Sequence, residues 1–236
     1  MPTRSKACTA EAVPATARSR ASGPAPAQPG APPGRPTREQ QHALKREAVL
    51  RTAARMFNEK GFHATSLDEV AEQLRVTKPT LYYYVSSKDE ILFECVRIGL
   101  QMLQDAIAQS ADGGGSAIDK LMAAMRQYVR IVTADFGMCV IRVGEDPLPV
   151  QSRRKLRRVK ASLDMEFREL IRQGIAEGSI APCDPKLAAF AMAGALSWIG
   201  RWYRPDGPLS PEQIADQCIG LLTRGLCAGR PQAPGA

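Results

Sequence analysis

Between Thr77 and Tyr84 the chain reads T-K-P-T-L-Y-Y-Y, which gathers two hydroxyls, a cation and three phenols into one short stretch. Leu81 and, one residue past the run, Val85 are four apart and face inward, which leaves Lys78, Pro79, Thr80, Tyr82, Tyr83 and Tyr84 around the outer side. A cation, hydroxyls and phenols on a short exposed helix suit phosphate oxygens and thymine methyls better than they suit water. Three consecutive tyrosines on such a helix cannot all be core. Residues able to do covalent or metal chemistry are sparse by comparison. The two histidines, His42 and His63, both lie in the N-terminal third, and the six cysteines (Cys8, Cys95, Cys139, Cys183, Cys218, Cys227) form no C-x-x-C pair. No zinc site, disulfide framework, catalytic constellation or cofactor is expected.

The elements that must present the tyrosine run can be read outward from it. Thr77 is a natural N-cap, and Pro79 falls in the first turn, where its missing donor would be unpaired anyway. Upstream, Ser66 with Glu69 and Thr65 with Asp68 both have capping-box spacing. Leu67, Val70, Ala71 and Leu74 then recur at helical period. Arg75 and Val76 turn the chain between the two helices. This is a helix-turn-helix pattern, with the helix containing Val49, Leu50, Ala53, Ala54 and Phe57 in front of it. Gly61 is expected to end that first helix in a left-handed cap.

Residues 45–94, from K-R-E-A-V-L-R-T-A-A-R-M-F-N-E-K-G-F through T-L-Y-Y-Y-V-S-S-K-D-E-I-L-F-E, resemble the DNA-binding domain of the TetR family of bacterial transcriptional regulators. The family usually has Gly in the turn where this chain has Arg75. If the position needs a positive φ, a non-glycine residue there costs about 1 kcal/mol. The resemblance implies that Lys78, Pro79, Thr80 and Tyr83 approach base edges, with Thr77 in the same run. It implies that Tyr82, Tyr84 and Lys88 hold phosphates, joined by Thr65 or Ser66 from the N-terminus of the preceding helix. It also implies a second domain that dimerises and encloses a small-molecule pocket, for which the candidates are Met102, Met122, Met125, Tyr128, Phe136, Met138, Phe167, Trp198 and Trp202. Residues 198–217, W-I-G-R-W-Y-R-P-D-G-P-L-S-P-E-Q-I-A-D-Q, are similar to TetR-type regulators of lipid or steroid catabolism that answer to acyl-CoA.

The rest of the chain reads as helix. The 236 residues carry a net charge of +8. Residues 1–38 hold six basic residues against one acidic, residues 39–88 eight against six, and the remainder eighteen against seventeen. The excess therefore sits on the tail and on the end that carries the tyrosine run, which fits a polyanion partner engaged from one end; a basic tail taken alone fits an aid to solubility equally well. Residues 1–38, rich in Ala, Pro and Gly, and residues 229–236 are expected to be disordered tails, with Arg35 and Arg38 lying along DNA. Residues 39–86 form the helix-turn-helix domain and 87–228 the ligand-binding and dimerisation domain of an all-α fold of about nine helices. A helix from about Ser87 to Gln109 links the two. Phe136 to Pro149, interrupted by Gly137, Gly144, Pro147 and Pro149, is expected to hold only short helical turns.

A long helix from about Pro149 to Glu177 carries six cations between Arg153 and Lys160, with Arg153, Arg157 and Lys160 on one stripe. That stripe could hold an anionic head such as the phosphates of a coenzyme A thioester. The run Leu187 to Gly200 is short for a bilayer span and suits a buried helix, so no membrane partner and a cytoplasmic location are expected. A helix apolar on every side must be covered on every side. Phe190, Gly194 and Leu196, with Ile214, Cys218, Leu221 and Leu222 of a final helix, are therefore the expected homodimer interface. The expected function is a ligand-responsive repressor released from a palindromic operator by a small effector. The rival reading is an enzyme or pure ligand-binding protein for an anionic thioester, with Cys139 or Glu145 as its only chemistry.

Overall fold

The structure is a computed structural model that describes residues 37–224. The expectations for the two tails, for Arg35, Cys8 and Cys227, lie wholly or mostly outside those residues. Among the described residues there are nine α-helices and no strand.

Helix α1 (Arg38–Lys60) starts at a capping box in which the Thr37 hydroxyl accepts from the Gln40 N–H and the Gln40 side chain accepts from the Thr37 N–H. It buries the expected stripe of Val49, Leu50, Ala53, Ala54 and Phe57. Gly61 ends it at φ 89°, ψ 157°, an extended positive-φ conformation and not the left-handed cap that was expected. Helices α2 (Leu67–Gln73) and α3 (Lys78–Tyr84) close a small core on α1 through Val70, Ala71, Leu81 and Val85, with Leu67 and Leu74 packed at its edge. Helix α4 (Lys88–Ala111) is capped by Ser87, whose hydroxyl accepts from the Glu90 N–H at 3.0 Å. Its first turns belong to this same core through Ile91 and Leu92, and Leu100 and Leu103 follow two to three turns further on.

Helix α5 (Ala117–Val132) opens on a Ser116/Asp119 capping box. Helix α6 (Asp135–Arg142) fills the first half of the stretch expected to hold short helical turns, as one regular helix of eight residues, and turns carry the chain on to Pro149. Gly137 permits the helix, because a Cβ there would lie 1.9 Å from the Ile131 carbonyl oxygen. Only glycine lets the new helix start hard against the last turn of α5. Gly144, at φ 69°, then turns the chain away. Helix α7 (Val150–Glu177) ends at Gly178 in the left-handed conformation, at φ 82°, ψ 7°. Helices α8 (Pro185–Trp202) and α9 (Pro211–Arg224) each begin with proline in the first turn. Asp184 caps α8, and a Ser210/Gln213 pair caps α9. No helix among the described residues is long and apolar enough to cross a membrane.

Candidate nucleic-acid interface and ligand cavity

Helix α3 stands out from the core on the buried Leu81 and Val85. Tyr82 and Tyr83 are 45% and 64% exposed, and Lys78, Pro79 and Thr80 are exposed beside them. The Thr77 hydroxyl caps the helix and lies 2.8 Å from that of Thr80. The Lys78 ammonium reaches back to Asp68 on α2 at 2.8 Å, and this hydrogen bond raises its pKa above the usual lysine value. Ser66 is exposed, but its hydroxyl and the Glu69 carboxylate are committed to the cap of α2.

Several residues read as phosphate contacts are placed otherwise. Thr65 is only 2% exposed, and its hydroxyl donates to the carbonyls of Gly61 (2.9 Å) and Met56 (3.3 Å). It therefore satisfies the open end of α1 and does not face solvent, and only Ser66 of the two forms a capping box. Tyr84 is half-buried, with its ring 5.0 Å from that of His42 on α1 and 5.1 Å from that of Tyr83. The Lys88 ammonium sits 4.5 Å from the Phe62 ring centroid and donates to the His63 carbonyl at 3.3 Å. His42, 5.3 Å from the Tyr83 ring as well, is a member of the aromatic cluster that sequence reasoning missed, because it comes from a helix forty residues away.

The turn between α2 and α3 resolves the question posed by Arg75. Its φ is 55°, so the left-handed conformation is kept without glycine. The Arg75 N–H donates to the Glu72 carbonyl and the Val76 N–H to the Ala71 carbonyl, which is the bond pair of a Schellman motif. The geometry of the turn is retained and the arginine takes the strain.

Behind this head, α4, α5, α6, α7 and α8 enclose a cavity of about 290 Å³. Its walls are apolar: Leu100 and Leu103 from α4, Val140 and Ile141 from α6, Leu163 and Phe167 from α7, Ala189 and Ala193 from α8. Tyr128, Lys160, Asp164 and Ser197 are the polar residues of the lining. An apolar concavity with a few convergent polar groups is the usual form of a small-molecule site. Of the candidate ligand residues, Tyr128 and Phe167 line it, with ring centroids 6.1 Å apart. Met125, Phe136 and Met138 are buried core outside the lining, Met122 packs on that core, and Met102, Trp198 and Trp202 are exposed elsewhere. Arg153 and Arg157 also lie outside the lining, while Lys160 of the same stripe is part of it. The wall leucines look in sequence like any core stripe. Ser197, the one hydroxyl in the apolar run from Leu187 to Gly200, is the signal in the sequence that marks this wall.

The expected dimer residues also divide. Leu196 and Ile214 are buried inside the protomer, at 0% and 4% exposure, so neither is available to a partner. Cys218 is half-buried against the same core. Phe190, Gly194, Leu221 and Leu222 are exposed, and Phe190 also borders the cavity.

The rival enzymatic residues are unsuited to chemistry. Burial pushes the Cys139 thiol up to about 12. Burial would also raise Glu145, but hydrogen bonding to Lys160 and the charges of Lys160 and Arg157 outweigh it and hold the carboxyl below its usual range.

A helix-turn-helix head sharing its core with the first turns of a helix that leads to a cavity-bearing helical body defines a ligand-responsive, DNA-binding transcriptional regulator. The chain belongs to the TetR family: residues 49–95 match the family model of bacterial regulatory proteins of the tetR family, and residues 114–226 match that of the tetracyclin repressor-like C-terminal domain. The HTH-type transcriptional repressor KstR2 of Mycolicibacterium smegmatis is 28% identical over 200 residues, 81% of this chain and 95% of that protein. Among solved structures, AibR in complex with isovaleryl coenzyme A and operator DNA is 30% identical with a TM-score of 0.68, covering 76% of this chain and 98% of its own. The TetR family transcriptional regulator PfmR from Thermus thermophilus is 30% identical with a TM-score of 0.70, covering 75% and 98%.

Proposed function

We propose that this chain is a homodimeric, cytoplasmic repressor that binds a palindromic operator through α3 and lets go when a small effector fills the cavity. The observation that carries the reading is α3 itself: a short helix anchored by two buried aliphatics that holds Tyr82, Tyr83, Lys78 and Thr80 outward. Within that reading, residues 39–86 are the head, 87–228 the effector and dimerisation body, and 1–38 and 229–236 the tails. Lys78, Pro79, Thr80 and Tyr83 meet base edges, whereas Tyr82 and Ser66 lie toward phosphates. An acyl-CoA thioester is the favoured effector class. Lys160, paired with Glu145, joins the cavity to the basic stripe of α7, and the further cations of that helix would serve the phosphates of an acyl-CoA whose acyl group lies inside. The AibR complex, which holds isovaleryl coenzyme A, supports the same class.

Effector release would follow from a difference in affinity between two dimer geometries, only one of which fits the half-site spacing. The test is selection of genomic fragments by the purified chain, followed by binding to the selected duplex. Tyr83→Ala should cost on the order of 1–3 kcal/mol of operator binding while the dimer persists, and acyl-CoA thioesters should release the wild-type complex. Unchanged affinity in Tyr83→Ala would remove that residue from the reading surface, and no selected sequence at all would end the proposal.

A further inference from the structure

The cavity's four polar side chains are not equivalent. Lys160 is held by Glu145 and Asp164 by Arg168, so both charges are answered within the protein. What remains is the phenol of Tyr128, 9% exposed, and the hydroxyl of Ser197, 2.8 Å apart. Two hydroxyls bring two protons, and the bond between them uses one, whichever oxygen donates. Three other hydroxyls, two on helices and one at a helix end, are used differently. Ser110, Thr133 and Thr223 each donate to the carbonyl four residues back at 2.8 Å, the usual way a helix absorbs a hydroxyl. Ser197 turns from its own helix toward Tyr128 instead. Among the described residues, the pair donates to no other protein group. One O–H donor is thus left at the wall of a largely apolar, charge-balanced cavity, where it calls for a neutral acceptor and not a carboxylate.

We infer that the effector carries an acceptor oxygen, a ketone or hydroxyl, on the group buried in this cavity, and that Tyr128 and Ser197 together select it over the plain hydrocarbon. The inference rests on the cavity being the effector site and narrows what that site takes. The cavity volume, at the low end for ligand sites, suits a single ring or a short branched chain. A buried donor left without its acceptor discriminates by roughly tenfold or more.

The experiment uses the full chain and isothermal titration of matched probes: cyclohexanecarboxylate with its 3-oxo, 4-oxo and 4-hydroxy counterparts, each as free acid and as coenzyme A thioester. In the series that binds, an oxygenated probe should bind about tenfold tighter than the plain one. The double variant Tyr128→Phe/Ser197→Ala should bring that ratio to near one, with its ligand-free melting checked separately. Each single variant keeps one hydroxyl, so the single that loses the preference identifies the donor. Equal affinities in the wild type, or a ratio that survives the double substitution, would overturn the inference and leave the effector site standing. A uniform loss of all probes in the double variant with the ratio intact would reduce the pair to a strut between α5 and α8, and so overturn it too. If no probe binds in either series, the effector reading itself fails and the inference goes with it.

Discussion

Arg75 carries a conformation that side chains with a Cβ avoid. Left-handed backbone costs an L-residue roughly 1–2 kcal/mol, against which glycine's extra loss of freedom on folding costs about 0.5–1 kcal/mol. Arg75→Gly should therefore stabilise the protein by about 0.5 kcal/mol. Arg75→Val, β-branched at the same φ, should destabilise it by on the order of 1 kcal/mol. Urea midpoints at constant slope measure both, and a stabilising valine would mean that the turn is not left-handed in solution. This residue shows what was legible at its scale. The question of a positive φ at Arg75 arises only from the glycine that the resemblance to the family puts there, whereas the turn itself could be read from the spacing of the two caps. Which of Thr65 and Ser66 faces water could not, because both have cap spacing and only the placement of α1's open carbonyls decides between them. Tyr84 is a similar case, as nothing within α3 announces that His42 will come to meet it.

At the scale of elements, capping chemistry was the most readable layer, and the cap of α2 shows how it works. The Ser66 N–H, then Lys60 and the Ser66 hydroxyl, favour the Glu69 carboxylate and lower its pKa from 4.5 to about 2. A carboxyl depressed in the folded state contributes fully above its unfolded value and loses that contribution as pH falls through its folded one. The stability difference between wild type and Glu69→Gln should thus be full above pH 4.5, shrink as pH falls toward about 2, and vanish below it. Chemical denaturation followed by circular dichroism across that range is the check, and a pH-independent difference would contradict it.

The junction of α1, α6 and α8 was unreadable by comparison, because it is made by side chains meeting helix ends from distant parts of the chain. Arg142 donates to the carbonyls of Gly200 and Tyr203 at 2.8 Å and of Asn58 at 3.4 Å, so one cation answers the negative ends of two helices. Burial, and then the neighbouring Arg201 and Arg204, hold its pKa below the usual arginine value. Asp135 at the other end of α6 binds Arg55 at 2.9 Å, and its carbonyl accepts from Asn58. Since Val140 and Ile141 of α6 line the cavity, this short helix touches both the ligand site and the reading head's first helix. Arg142→Gln should cost on the order of 2 kcal/mol of stability through lost charge-assisted bonds. Thermal unfolding would measure it, and a neutral effect would show that water replaces the guanidinium.

In the whole molecule, what the sequence left unread follows from one ambiguity: an apolar helix does not say which of its sides the protomer covers and which a partner covers. In α8 the protomer takes Ala189, Leu196, Ile199 and Gly200. Leu187, Phe190, Gly194, Trp198 and Trp202 remain outside, three or four residues apart, with Leu221 of α9 exposed as well. A stripe at that spacing is one helix face, and a face of this size on the outside of a monomer marks a partner surface. A side chain added at Gly194 would meet nothing within 4 Å in the protomer, which leaves room there for another backbone. The proposed repressor would pair this face with a second copy about a two-fold axis, and its operator would require the two α3 helices to stand at half-site spacing, roughly 34–36 Å. Trp198, 65% exposed within the stripe, is the place to test it. Trp198→Glu would bury two unpaired carboxylates in the pair, and should weaken self-association at least about a hundredfold. Met165 on α7 is as exposed, at 67%, but lies on another helix, so Met165→Glu should leave the mass unchanged. Sedimentation equilibrium distinguishes the two. If Trp198→Glu sediments as the wild type does, the copies pair elsewhere. If it becomes a monomer, it should also lose operator affinity with α3 untouched, because a single head then binds one half-site without the contacts that its partner would add at the other.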